Sequence, residues 1–261
     1  MGLDSERAMI ATAVAGGTDD ILPISFLERA RRAADAVGHL TQVNGTSMGT
    51  CLMVSPRLLM TNNHVIKTPE IAKRRRVHFN FEKDAAGTAL PVSSFKLDPE
   101  TFWLTDPSAE LDFTVVALGE PVNAGATQPA FRRLSGRNDK HALGDFVNII
   151  QHPNGHPKRI VLRENMLVHR AGTDPAAEPV LLYTADTDES SSGAPVFNDF
   201  WDLVALHHAS VKAGNITICG ETRLDVVNEG GRASFIIAAL NAARHTLSDE
   251  QRELLDDALA E

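Results

Sequence analysis

Cysteine is nearly absent. A chain of 261 residues carries two, Cys51 and Cys219. Two thiols cannot form a disulfide framework, so the small stapled folds are excluded, and both are read as reduced, as in a cytosolic protein. Positive charge is also short. Lys and Arg number 25 against 34 Asp and Glu, a net charge of −9, which argues against general affinity for a nucleic-acid backbone. Aromatic residues are few, with eleven Phe, two Trp and one Tyr. No apolar run approaches the ~20 residues of a membrane-spanning helix. Met1-Gly2-Leu3-Asp4-Ser5-Glu6 lacks a basic stretch leading into an apolar one, so no secretory signal is visible. Glu6 stands where a myristoylation pattern needs Ser or Thr. Internal repeats and low-complexity linkers are missing too. The expectation is a soluble, cytoplasmic chain with no membrane or nucleic-acid partner. What remains is ordinary globular usage, with 43% hydrophobic and 23% charged residues. The length fits one large all-β domain or two half-domains with a shared core.

Residues 1–21 show no periodicity and read as an arm. Pro23 and the capping-box pattern Ser25-Phe26-Leu27-Glu28 predict a helix start. Leu27, Ala30, Ala34 and Val37 would form its apolar face and Gly38 its stop. Arg29, Arg31 and Arg32 on this helix read as a solvated face, the alternative being a docking patch for an acidic partner. From about residue 40 to 237 the pattern changes to short apolar or alternating runs broken by Gly, Pro, Asn and Asp. Leu58-Leu59-Met60, Phe113-Thr114-Val115-Val116-Ala117-Leu118, Phe146-Val147-Asn148-Ile149-Ile150 and Leu203-Val204-Ala205-Leu206 are examples. Many short strands without intervening helices predict an all-β sandwich or barrel rather than a parallel α/β sheet. Lys73-Arg74-Arg75-Arg76, the one basic run, reads as a solvated loop. Near the C-terminus Ser248-Asp249-Glu250-Gln251 is a second capping box, followed by Leu254, Leu255, Ala258 and Leu259 on a helical face.

Three segments carry chemistry together. Thr61-Asn62-Asn63-His64-Val65 ends a strand pair in a turn that presents a histidine. In Leu111-Asp112-Phe113-Thr114-Val115-Val116 an aspartate stands at the mouth of an apolar strand. In Asp188-Glu189-Ser190-Ser191-Ser192-Gly193-Ala194-Pro195-Val196 a serine occupies a tight small-residue turn. A serine hydroxyl is a weak nucleophile at neutral pH and needs an imidazole to take its proton. The imidazole needs a carboxylate to orient it, and the developing oxyanion needs backbone N–H groups. Each segment alone is commonplace. A lone histidine is usually structural, and a lone aspartate at a strand start is usually a turn residue. Their order, His then Asp then Ser on an all-β background, is one of the orders in which this triad occurs. Of the ten histidines, none falls in a metal-binding spacing on a helix, and no Cys-x-x-Cys is present, so no metal is expected.

These three blocks resemble those of trypsin-like, chymotrypsin-fold serine proteases, and most closely the bacterial branch that includes the glutamyl endopeptidases. Gln151-His152-Pro153-Asn154-Gly155, Val204-Ala205-Leu206-His207-His208 and Asn228-Glu229-Gly230-Gly231-Arg232-Ala233-Ser234 are similar to that branch as well. The resemblance spans about residues 40 to 240. It implies two six-stranded antiparallel β-barrels: 40–135 with His64 and Asp112, and 136–240 with Ser192. An N-terminal arm and helix (1–39) and an acidic C-terminal helix (241–261) would flank them. It further implies a serine endopeptidase acting on protein or peptide substrates through an acyl-enzyme, with no cofactor and room for a regulatory protein partner. Ser192 would be the nucleophile, His64 the general base and acid, Asp112 the orienter, and the N–H groups of Ser190 and Ser192 the oxyanion donors. The alternative is a non-catalytic protease-like module that binds a peptide or partner in the same cleft.

Two departures bear on that expectation. Cys51 replaces a glycine common in the first block. Ser190 replaces a glycine two residues before the nucleophile, where positive φ is needed and glycine adopts it at little cost. The peptide before Ser190 is therefore expected to be flipped, or poised to flip, at rest. The residues that would receive the side chain on the acyl side of the scissile bond (P1) point two ways. Asp186 would select a basic P1 residue, whereas Thr187 and His207 would receive an acidic one. The balance leans to acidic.

Overall fold

Six runs between residues 37 and 121 close on one another. They are β1 (Val37–Gln42), β2 (Ser47–Met53), β3 (Leu58–Thr61), β4 (Arg75–Phe79), β5 (Ser93–Asp106) and β6 (Phe113–Pro121), an antiparallel barrel in the order β1-β2-β3-β6-β5-β4. The computed structural model describes residues 21–137, 140–162, 164–170, 173–218 and 221–259. β3 is buried at every position, and β6 from Phe113 to Leu118. That is why both read as continuous apolar runs, whereas the long β5 shows a period of two over much of its length.

The second half is a seven-stranded antiparallel sheet. Its strands are β7 (Asn148–Gln151), β8 (Arg159–Val161), β9 (Leu167–Arg170), β10 (Val180–Tyr183), β11 (Pro195–Phe197), β12 (Leu203–Ile218) and β13 (Glu221–Arg232). The order is β13-β10-β9-β12-β11-β7-β8, with β12 also paired to β13. The second unit thus closes through four strands and carries three more on one side. Bulges at His207/Ala209 and Lys212/Asn215 bend β12, which lets this long strand serve both parts. Val147, Ile149, Leu181, Tyr183, Val196 and Val204 lie in its core.

Helix α1 (Ser25–Ala34) buries Phe26, Ala30 and Ala33. This departs from the sequence expectation in three ways. Leu27 is exposed, no side chain caps the N-terminus, and Val37 and Gly38 belong to β1. The physical reason is Phe26, whose ring packs 5.1 Å from that of Trp201 and turns the helix about its axis. Arg31 is not merely solvated, because it pairs with Asp35 and, at 2.7 Å, with Glu82. The basic run is not a loop either. Lys73 ends helix α2 (Pro69–Lys73) and pairs with Glu100, while Arg75 and Arg76 open β4. After β13 the chain forms α3 (Ala233–Ala243) and α4 (Asp249–Leu259). The second capping box is made: Gln251 N–H donates to Ser248 Oγ at 3.3 Å, and Gln251 Oε1 accepts from Ser248 N–H at 3.2 Å. Ile236, Leu240, Leu255 and Ala258 of these helices join the hydrophobic cluster of the first barrel. Cys51 is buried with a free thiol that burial pushes up to about 12, and Cys219 lies outside the described residues, as do residues 1–20. Among the described residues no helix is long and apolar enough to cross a membrane.

Aromatic rings close the seam between the halves. His39 of β1 stacks on Phe81 at 5.3 Å and on His152, just after β7, at 4.9 Å. Burial, aided by His78, lowers the His39 imidazole to about 4, and burial followed by His39 itself holds His152 well below the ordinary value of 6.5. Between these folded values and 6.5 the unfolded chain binds protons that the folded chain refuses. Stability therefore rises with pH across that window and is lost as pH falls from about 6.5 toward 4. Each unit of depression corresponds to ~1.4 kcal/mol, so the loss is on the order of a few kcal/mol. The urea midpoint should drop steeply from pH 6.5 to 4 and do so less in His39→Gln. A midpoint that stays level over this range would contradict it.

Candidate active site

His64 lies in the turn after β3, and Asp112 immediately precedes β6, the partner of β3 in the barrel. Strand pairing alone brings them together. His64 Nδ1 lies 2.5 Å from Asp112 Oδ2, and the His64 N–H donates to Asp112 Oδ1 at 3.0 Å. Asp112 has φ +43°, an uncommon conformation for a residue with a side chain and one that Asp tolerates better than most. The turn holds it there. Asn63 N–H and Asn62 Nδ2 both donate to the Asp112 carbonyl, at 3.0 and 2.9 Å.

The serine turn distinguishes its members. Ser191 is buried, its N–H donates to Asp188 O at 3.1 Å, and its Oγ accepts from Asp188 N–H at 3.2 Å. That hydroxyl is committed to the turn. Ser192 is half-buried, and its carbonyl accepts from Thr50 N–H of β2 at 2.8 Å. Thr50 is the tie between halves, since its Oγ1 donates to Ser190 O at 3.1 Å and accepts from His152 N–H at 3.1 Å. Among the described residues Ser192 Oγ and His64 Nε2 make no hydrogen bond, to each other or elsewhere.

Ser190 corrects the expected flip. It adopts φ +67° despite its side chain, because three contacts hold it. Its Oγ accepts from Ser47 Oγ at 3.0 Å, its carbonyl accepts from Thr50 Oγ1, and the carbonyl of the preceding peptide, Glu189 O, accepts from Asn154 N–H at 2.6 Å. Ser47 Oγ in turn lies 2.8 Å from His39 Nε2. Among the described residues the N–H groups of Ser190 and Ser192 have no protein acceptor.

The three expected pocket residues behave differently. Asp186 is exposed, and it is its backbone carbonyl that takes part in the fold, accepting from Gln151 Nε2 at 3.0 Å. Thr187 Oγ1 donates to Asn228 Oδ1 at 2.7 Å. His207 is buried, with Nδ1 2.7 Å from the Tyr183 hydroxyl, and burial, reinforced by His208 and His64, lowers its imidazole to about 3. Sequence reasoning missed Ser47, His39, Tyr183, Ser210 and Asn228. Asn228 stood in a quoted block and Tyr183 is the chain's only tyrosine, but their roles depend on cross-strand register. Among the described residues no group of three or more His, Cys, Asp or Glu is arranged to hold a metal ion.

A closed β-barrel joined to a second antiparallel sheet, with terminal helices, defines the chymotrypsin-like fold. The chain belongs to the trypsin-like peptidase domain family, which matches residues 49–206. In fold it is similar to the Rv3671c protease in its inactive form, with a TM-score of 0.54 and 14% identity over 84% of this chain and 96% of that one. The Ser343Ala mutant of Rv3671c from M. tuberculosis H37Rv, also an inactive form, gives a TM-score of 0.55 at 13% identity, covering 90% of this chain and 99% of that one. In sequence the chain is 41% identical over 203 residues to "Uncharacterized protein y4fB" of Sinorhizobium fredii (strain NBRC 101917 / NGR234), a match covering 75% of this chain. The chain spans about a third of that relative's length, 31%.

Proposed function

We propose that this chain is a serine endopeptidase that cleaves protein or peptide substrates through an acyl-enzyme, with Ser192 as nucleophile, His64 as general base and acid and Asp112 as orienter. The observation that carries the reading is the Asp112 carboxylate at His64 Nδ1, 2.5 Å away, beside a turn in which Ser192 is the serine whose hydroxyl is uncommitted. The carboxylate fixes the imidazole with its Nδ1 proton directed at Asp112, leaving Nε2 to take the Ser192 proton as Oγ attacks the scissile carbonyl. The unengaged N–H groups of Ser190 and Ser192 are the donors for the oxyanion that forms. His64 then gives the proton to the leaving amine, and water repeats the sequence in reverse to release the acid. The reaction needs no cofactor, and the free Cys51 thiol fits a cytoplasmic setting. The test is labelling by a fluorophosphonate probe, which reacts only with an activated serine. Labelling should vanish in Ser192→Ala and persist in Ser191→Ala. Loss in Ser191→Ala but not in Ser192→Ala would overturn the assignment. A wild-type chain that does not label would be a non-catalytic binding module.

A further inference from the structure

Tyr183 bonded to His207, and Thr187 and Ser210 bonded to Asn228, form a group of two hydrogen-bonded sets beside the nucleophile turn. Gly193 N–H donates to His207 O at 2.9 Å and His207 N–H donates to Ala194 O at 2.9 Å, which joins β12 directly to the turn. Asn228 of β13 pairs with Tyr183 of β10 on one side and with Ser210 of β12 on the other. Directly paired residues share a face of the sheet. His207 and Ser210 lie three apart in β12 and would face opposite ways in a regular strand. The bulge at His207/Ala209 sets His207 opposite Gly230 and Ser210 opposite Asn228, two apart in β13, so both face the same side. A Cβ at Gly230 would meet the Leu206 carbonyl oxygen and Ala205 Cβ, so glycine there lets β13 lie close against β12.

The protons of this group can be assigned one by one. Asn228 Nδ2 donates to Ala185 O at 2.6 Å, which fixes the amide and leaves Oδ1 as an acceptor. Thr187 Oγ1 donates to that oxygen at 2.7 Å and Ser210 Oγ at 2.8 Å. A hydroxyl has one proton, so each of these can offer a ligand only a lone pair. The Tyr183 phenol is fully buried, and its partner among the described residues is His207 Nδ1. A buried phenolic proton requires an acceptor, so the phenol donates, Nδ1 accepts, and the imidazole proton resides on Nε2. Burial keeps this imidazole neutral. The group therefore presents one N–H donor and two oxygen lone pairs, without net charge.

A carboxylate offers only lone pairs and would meet the spent oxygens of Thr187 and Ser210. An ammonium or guanidinium offers only protons and would meet the Nε2 proton. A carboxamide offers both kinds. Resting on the peptidase reading above, we propose that the pocket selects substrates with glutamine or asparagine at P1, the side-chain carbonyl accepting from His207 Nε2 and the amide N–H groups donating to Thr187 Oγ1 and Ser210 Oγ. Tyr183 and Asn228 are positioning residues that set the direction of those protons. This replaces the acidic preference expected from Thr187 and His207.

The experiment measures kcat/KM on the full chain for peptides identical except for Gln, Asn, Glu, Lys or Leu at P1, normalised to labelling by a fluorophosphonate probe without a P1 side chain. Gln or Asn should exceed Glu by about 10²-fold or more at pH 7.5, because a site built for hydrogen bonds rejects an analogue that cannot complete them. Thr187→Val, nearly isosteric, should lower the ratio of carboxamide to Leu cleavage about tenfold. Tyr183→Phe removes the proton offered to Nδ1, so the neutral imidazole can carry its own proton there and leave Nε2 without one; the ratio of Gln to Leu cleavage at pH 7.5 should fall about tenfold, which a merely structural role would not produce. Because these are ratios, partial misfolding of a variant does not alter them. A labelled enzyme that prefers Glu, Lys or Leu, or that cuts after neither Gln nor Asn, overturns the pocket assignment and leaves the peptidase reading standing. An unchanged ratio of Gln to Leu cleavage in Tyr183→Phe overturns the tautomer on which the assignment rests. Failure of the wild-type chain to label overturns the peptidase reading and this inference with it.

Discussion

Ser192→Ala and His64→Ala each lower kcat by about 10⁴-fold or more, and the double variant lowers it no further. The equality is the informative part. Nucleophile and base act as a unit, so removing the second after the first removes nothing that still functions. Two residues acting independently would instead multiply their losses. Asp112→Asn is the third arm. Asn tolerates the left-handed conformation that Asp112 holds at φ +43°, and the Asn62 and Asn63 donors bind the backbone carbonyl rather than the side chain. The variant should therefore fold. An amide at this position no longer holds Nδ1 as a donor, and kcat should fall by ~10⁴ with KM little changed. Steady-state kinetics and denaturant melts on the four proteins check this. A double variant much slower than either single one would mean that Ser192 and His64 do not share a mechanism.

The triad candidates were legible because each lies in a contiguous block whose local structure follows from the sequence. His64 follows a buried strand, Asp112 precedes one, and Ser192 stands in a turn of small residues. The strands were legible for the same reason, burial on both faces producing unbroken apolar runs. What escaped was whatever depends on register or on a distant partner. The rotation of α1 follows from Phe26 meeting Trp201, 175 positions away (201 − 26). The Thr187 and Ser210 hydroxyl directions follow from Asn228, which register sets opposite Ser210, and the Tyr183 direction from His207; a one-residue bulge in β12 decides that register. Ser190 is the clearest case. Its own propensity argues against positive φ, and the contacts that override it come from Ser47 and Thr50 of β2 and from Asn154, in two other segments. Local preference is a weak prior wherever tertiary contacts converge, and they converge at the seam that holds the nucleophile.

Gly193→Ala should be the most damaging single change outside the triad. Gly193 has φ +82°, and a Cβ there would overlap the Thr50 carbonyl oxygen and Thr61 Oγ1. Neither can retreat easily, because Thr61 Oγ1 already donates to Thr50 O at 2.8 Å inside the barrel. The left-handed conformation costs about 1–2 kcal/mol for alanine, and forcing a methyl into a packed interior about 1–3 kcal/mol. The chain relieves that strain by moving the turn away from β2, which stretches the Thr50 N–H bond to Ser192 O and carries the Ser192 N–H with it. A misplaced oxyanion donor costs about 10²–10³ in rate, and displacing the nucleophile as well should bring the loss in labelling rate to at least the upper end of that range. Ser190→Gly, two residues earlier, should behave differently. Glycine accepts φ +67° without strain, and the Thr50 and Asn154 contacts are to backbone carbonyls that the variant keeps. Only the Ser47 hydroxyl bond is lost. A change within about tenfold is expected, the scale of one neutral hydrogen bond at ~1 kcal/mol. A Gly193→Ala protein that labels at the wild-type rate would show that the turn is not clamped against β2. A Ser190→Gly protein activated far beyond tenfold would show that the serine had been holding the turn in an unproductive conformation.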